Sequence, residues 1–99
     1  MMKVTINGRA FDFEVNGTVG LAYKAEQVLG EPLDMRKKMH LAAVCYAALF
    51  YSNGGDVMPW NEFISTLTSE PNNQMIEHLT RRWKTLEGEK PDGGNTEGE

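Results

Sequence analysis

The chain has 99 residues, ten Lys and Arg against fourteen Asp and Glu, and a formal net charge of −4. That length suits one domain burying roughly 60–65% of its unfolded surface, and the longest nearly unbroken apolar run, residues 41–51, falls short of the roughly 20 residues that span a bilayer. Residues 88–99 hold four acids and one Lys, so residues 1–87 stand near neutral and lack the basic surface of an electrostatic nucleic-acid binder or a polybasic membrane anchor.

The opening residues MMKVTINGRAFDFEV alternate in the manner of a strand and lack the apolar block of a signal peptide. Asn7-Gly8 is the favoured pair for a two-residue type I′ turn, in which both central residues need positive φ. Such a turn sets Ile6 against Arg9, Val4 against Phe11 and Met2 against Phe13. Side chains alternate between faces, so Met2, Val4, Ile6, Phe11, Phe13 and Val15 share one face. On the other, Lys3 meets Asp12 and Thr5 meets Ala10. Register, apolar face and charge pair agree, which predicts a hairpin over 2–15. Two strands alone are marginal, so the apolar face must lie on helices.

Thr18 is placed to cap a first helix over about 18–29, with Leu21, Ala25 and Val28 inward and Gly30 and Pro32 ending it. Asp34 is placed to cap a second helix, over about 35–52. Its Met35, Met39, Ala42, Tyr46 and Leu49 form one stripe. From Leu41 onward the other faces are apolar too, as suits a central helix, and Asn53-Gly54-Gly55 ends it. A third helix is predicted over about 59–68, with Pro59 near its first turn and Trp60, Phe63, Ile64 and Leu67 on a buried face. After a break at residues 69–73, a fourth follows over about 73–86, with Met75 or Ile76, Leu79, Trp83 and Leu86 inward. Residues 88–99 offer nothing to offset the entropy of ordering them and read as a disordered acidic tail. The fold class is therefore α+β: a single domain, 1–87, in which an N-terminal hairpin packs on a bundle of about four helices.

Side chains that could carry chemistry are sparse. His40 and Cys45 stand five apart, about 140° around a helix, and cannot chelate one ion. A lone cysteine forms no internal disulfide, which suits a reducing cytoplasm. Cys45 reads as a small buried residue, His40 and His78 as partly exposed helical residues, and Glu62, Glu70 and Glu77 as solvated charge. The N-G-T-V-G of residues 16–20 lacks the Gly-Lys-Ser/Thr of a phosphate loop, and Gly54-Gly55-Asp56 lacks the ligand series of a calcium loop. No catalytic residue, cofactor or metal is expected, and the chain does not read as an enzyme. Arg36-Lys37-Lys38 and Arg81-Arg82-Lys84 read as wet helix faces. Tyr46, Phe50, Tyr51, Trp60, Phe63 and Trp83 are many rings for a small domain. Most belong to the core, with Tyr51, Trp60 and Trp83 the candidates for a protein-binding patch.

The run K-V-T-I-N-G-R-A-F-D-F-E-V, followed directly by a short helix, resembles the opening of phage tail assembly chaperones. The long apolar helix ending L-F-Y-S-N-G-G, the short W-N-E-F-I-S-T-L helix and the last helix with R-R-W-K-T-L are similar too, so the resemblance spans about residues 2–87. It implies a small acidic protein of the bacterial cytoplasm, without a catalytic site and not carried in the mature virion. Such chaperones bind the tape measure protein and help recruit tail tube subunits. Neither nucleic acid nor membrane is a partner on this reading, and homo-oligomers are compatible with it. Many members have a longer form made by ribosomal frameshift, and residues 88–99 stand where that extension would join. No binding residue of the family is carried over by position. Two other readings stay open: a small adapter or regulator with a ubiquitin-like start, and a nucleic-acid-binding regulator using Arg81, Arg82 and Lys84, with Trp83 stacking on a base.

Overall fold

In the computed structural model, which describes residues 2–88, Asn7 and Gly8 both take the left-handed backbone that the tight turn requires, at φ 54° and 82°. They close β1 (Met2–Ile6) onto β2 (Arg9–Phe13) in the predicted register, from Ile6 opposite Arg9 to Met2 opposite Phe13. Val4, Ile6, Phe11 and Phe13 are buried together with Val15, and Lys3 pairs with Asp12 on the wet face. These two strands are the whole sheet among the described residues. The tail expected over 88–99 lies, from residue 89 onward, outside those residues.

Four helices follow: α1 (Val19–Leu29), α2 (Lys38–Ser52), α3 (Trp60–Thr66) and α4 (Ser69–Gly88). Thr18 occupies the cap position of α1 through its carbonyl, which accepts from Ala22 N–H at 2.9 Å, while its hydroxyl makes no capping bond. Gly30 closes the helix in the left-handed conformation, its N–H donating to Glu26 O at 2.8 Å. Every residue of 42–49 on α2 is buried, so the helix apolar on all sides is the central one. It packs on α1, β2, α3 and α4. Asn53, Gly54 and Gly55 end it as expected, with Gly55 N–H reaching back to Phe50 O at 2.8 Å.

Three boundaries and two side chains depart from the sequence expectation. Helix α2 starts at Lys38 rather than near Met35, because Asp34 spends its carboxylate on a local turn instead of a helix cap. Asp34 Oδ1 accepts from Arg36 N–H at 3.0 Å and from Arg36 Nε at 2.9 Å, and Oδ2 accepts from Nη2 at 3.0 Å. Helix α4 starts at Ser69 rather than Asn73, so the supposed break is its first turn. Pro71 fits there because that turn has no backbone acceptor for the missing N–H. Helix α3 is shorter than expected, ending at Thr66. Met39, placed on the inward stripe by periodicity, is half exposed, and His40, expected at the surface, is buried. No helix among the described residues is long and apolar enough to cross a membrane.

Candidate functional site: a groove between α2, α3 and α4

The three aromatic candidates are not brought together. Trp60 opens α3 half-buried and joins an aromatic cluster, its ring centroid 5.4 Å from Tyr46 and 5.9 Å from Phe63. Tyr46, at the base of that cluster, donates its hydroxyl to Met58 O at 2.7 Å, and burial raises the pKa of the phenol. Tyr51, half exposed at the end of α2, meets Phe50 edge-on at 5.5 Å. It lines a hollow of about 450 Å³ beside Gly17, Gly20 and Ser52. The Glu14 carboxylate lies in the same lining and would repel a phosphate. Trp83 is half-buried on α4 against the core. Arg81, Arg82, Trp83 and Lys84 are consecutive and so point about 100° apart around the helix. They cannot form one open face with Trp83 as a stacking platform, and Arg81 lies 3.8 Å from Glu77.

In the interior, His40 is engaged by hydrogen bonds and Cys45 is sealed by burial, while Nε2 of His78 is buried without a partner among the described residues. His40 sits beneath the connection between α1 and α2, where Asp34 N–H donates to Nδ1 at 2.8 Å. A backbone N–H can only donate, so Nδ1 is unprotonated and the ring's proton is on Nε2, which faces Glu31 Oε2 at 2.6 Å. With both nitrogens engaged, this histidine has no lone pair left for a substrate. Cys45 is wholly buried and its thiol is pushed up to about 12 by burial, far from a thiolate at neutral pH. Among the described residues, no three His, Cys, Asp or Glu side chains stand together in a way that could hold a metal ion.

What the fold leaves open is apolar. A groove of about 520 Å³ runs between α2, α3 and the start of α4. Its floor is Met39, Leu41 and Ala42 from α2, Ile64 from α3, Leu67 from the turn after it, and Ile76 from α4. Its rim is Lys38, Thr68, Ser69, Asn72 and Asn73. Ala42 is buried, Leu41, Ile64, Leu67 and Ile76 are half-buried, and Met39 is half exposed. Helices α2 and α4 each supply an apolar residue beside the inward stripe, and α3 supplies Ile64 from the stripe itself. On α2, Leu41 flanks Ala42. On α4, Met75 faces the core while its neighbour Ile76 faces the groove. None of Tyr51, Trp60 and Trp83 lines it. The signal in the sequence is an apolar surplus on and beside the stripes, and only the packing shows where that surplus converges.

Comparison of the chain with protein-family models, with curated proteins and with solved structures finds no match.

Proposed function

We propose that this protein is a non-enzymatic, protein-binding chaperone of the phage tail assembly type. It works in the cytoplasm of the bacterial host, holds the tape measure protein and helps recruit tail tube subunits around it. The observation that carries the reading is the apolar groove: half-buried aliphatic side chains from three helices lie open on a molecule whose His40 and Cys45 are sealed inside. Such a surface is suited to grip another protein's apolar side chains. The order of elements supports the specific class, since the hairpin, the short helix, the long apolar helix and the two later helices are the features on which the resemblance to tail assembly chaperones rests.

The adapter reading with a ubiquitin-like start needs further strands after the first helix, and residues 30–88 contain none. The test is co-expression with the tape measure product that this reading places beside the gene. That product is expected to become soluble and to co-purify with this chain. A tape measure product that stays insoluble and unbound overturns the tail-assembly assignment.

A further inference from the structure

We propose that the groove between α2, α3 and α4 receives a single amphipathic helix of a partner protein, its apolar side chains on the floor and a carboxylate at the Lys38 end. This inference rests on the protein-binding reading above and specifies the partner's chemistry. The groove is walled by α2, α3 and α4, which beyond their first turns bond their backbone N–H groups internally, and none of its walls is a strand edge. It therefore offers no row of backbone partners. An extended segment would bury its peptide groups unpaired, whereas a helix arrives with them already satisfied.

Charge sets the direction. Lys38 is the only charged side chain in the lining, and it makes no ion pair among the described residues. Its neighbour Arg36, by contrast, is tied to Asp34. The first turn of α4 reaches the same rim at Ser69, but Glu70 in that turn offsets the positive end of the helix dipole, so the sign at the rim is set by Lys38. No carboxylate lines the groove, so an acidic side chain meets attraction there and a basic one meets Lys38. Residues 89–99 of this chain have no apolar side chain larger than that of Pro91 with which to fill the floor.

The test uses the full chain and two synthetic amphipathic peptides that share one leucine stripe, one flanked by glutamates and the other by lysines. Fluorescence anisotropy is expected to show the glutamate peptide binding about three- to tenfold more tightly at low salt, the gap narrowing as salt rises. Lys38→Glu, a change at an exposed position, is expected to reverse the preference. Ile76→Asp is expected to weaken both peptides at least about tenfold. Amide shift mapping on the unaltered protein, which does not depend on how the variants fold, is expected to centre on Leu41, Ile64 and Ile76. Equal binding of the two peptides, a preference that survives Lys38→Glu, or shifts centred elsewhere would overturn the proposal. So would a dimer of the free protein that Ile76→Asp dissolves, since the groove would then belong to a second copy. The tape measure product separates the two claims. If it binds wild type, Lys38→Glu and Ile76→Asp alike, the groove assignment fails and the chaperone reading stands. If the peptides behave as expected and the tape measure product does not bind, the chaperone reading fails and the groove assignment stands.

Discussion

At His78 the imidazole meets Phe13 edge-on with ring centroids 5.7 Å apart, and its Nε2 is buried without a hydrogen-bond partner among the described residues. Burial lowers its pKa from the ordinary 6.5. Glu14 pulls the other way, and Arg81 and Arg82 add to the lowering. The unfolded chain therefore takes up the proton more readily than the folded one. The stability that depends on a neutral His78 is complete above the ordinary value and is lost as pH falls through the lowered one. Urea denaturation between about pH 7.5 and about pH 5 is expected to show wild type weakening faster than His78→Leu, which keeps an apolar contact for Phe13 and cannot titrate. Parallel acid slopes in the two proteins would contradict this. His40 behaves differently because both of its nitrogens are bonded. Truncating it to Ala strands the Asp34 N–H and leaves a cavity, and is expected to cost about 2–3 kcal/mol in chemical denaturation. Glu31→Ala removes a carboxylate that is half exposed and is expected to cost less than about 1 kcal/mol. By periodicity both histidines have the same environment, since it records only side chains along one helix. The burial of His40 depends on a backbone N–H from the preceding connection, to which no pattern of side chains points.

Among the elements, the hairpin was the most legible and its surroundings the least. Asn7-Gly8 fixes the register, the register fixes the apolar face, and both follow from six or seven neighbouring residues. How the free edges of the sheet are treated depends on α2, some forty residues away. Alternate residues of β2 turn their backbone groups away from β1, and the end of α2 meets them with side chains instead of a strand. Asn53 Oδ1 accepts from Asp12 N–H at 3.1 Å, and Asn53 Nδ2 donates to Asp12 O at 2.9 Å. Just beyond the strand, Ser52 Oγ accepts from Glu14 N–H at 2.9 Å. Asn53 thus serves as helix terminator and as a one-residue substitute for a third strand, of which the sequence shows only the first role. Asn53→Ala is expected to cost about 1–3 kcal/mol. It should also speed hydrogen exchange at the Asp12 amide specifically, while exchange within α1 stays as it was. Unchanged exchange at Asp12 would mean that water satisfies that edge equally well. The start of α4 was missed for a related reason. Pro71 reads as a breaker, yet a first turn has no use for its N–H, and a chain-order reading cannot tell a break from a beginning.

At the scale of the whole molecule, one buried cluster draws on every element: Val4 and Phe11 from the hairpin, Leu21 from α1, Val44 and Leu49 from α2, Phe63 from α3, and Met75 and Leu79 from α4. A core shared in this way has no part that can open while the rest stays packed, so unfolding is expected to be all-or-none. Cys45 is a reporter already in place. It is fully buried in the middle of α2, at the centre of that cluster, and its thiol is held near pKa 12 by burial, so neither access nor thiolate is available in the folded state. Modification by a thiol reagent at neutral pH must wait for opening. If opening is global, the free energy derived from the labelling rate should equal that from equilibrium denaturation, and its dependence on urea should have the same slope. A shallower slope would show that α2 is exposed by a local event, with the hairpin or α1 lifting away while the other elements stay packed. That outcome would divide the single cluster into separable parts. Peptide binding in the groove supplies a second check on the same rate. Its lining spans α2, α3 and α4, so an occupant should slow Cys45 labelling by the factor its affinity and concentration set for the folded state. It can do so only if the helices that form the groove separate in the same event that exposes the thiol.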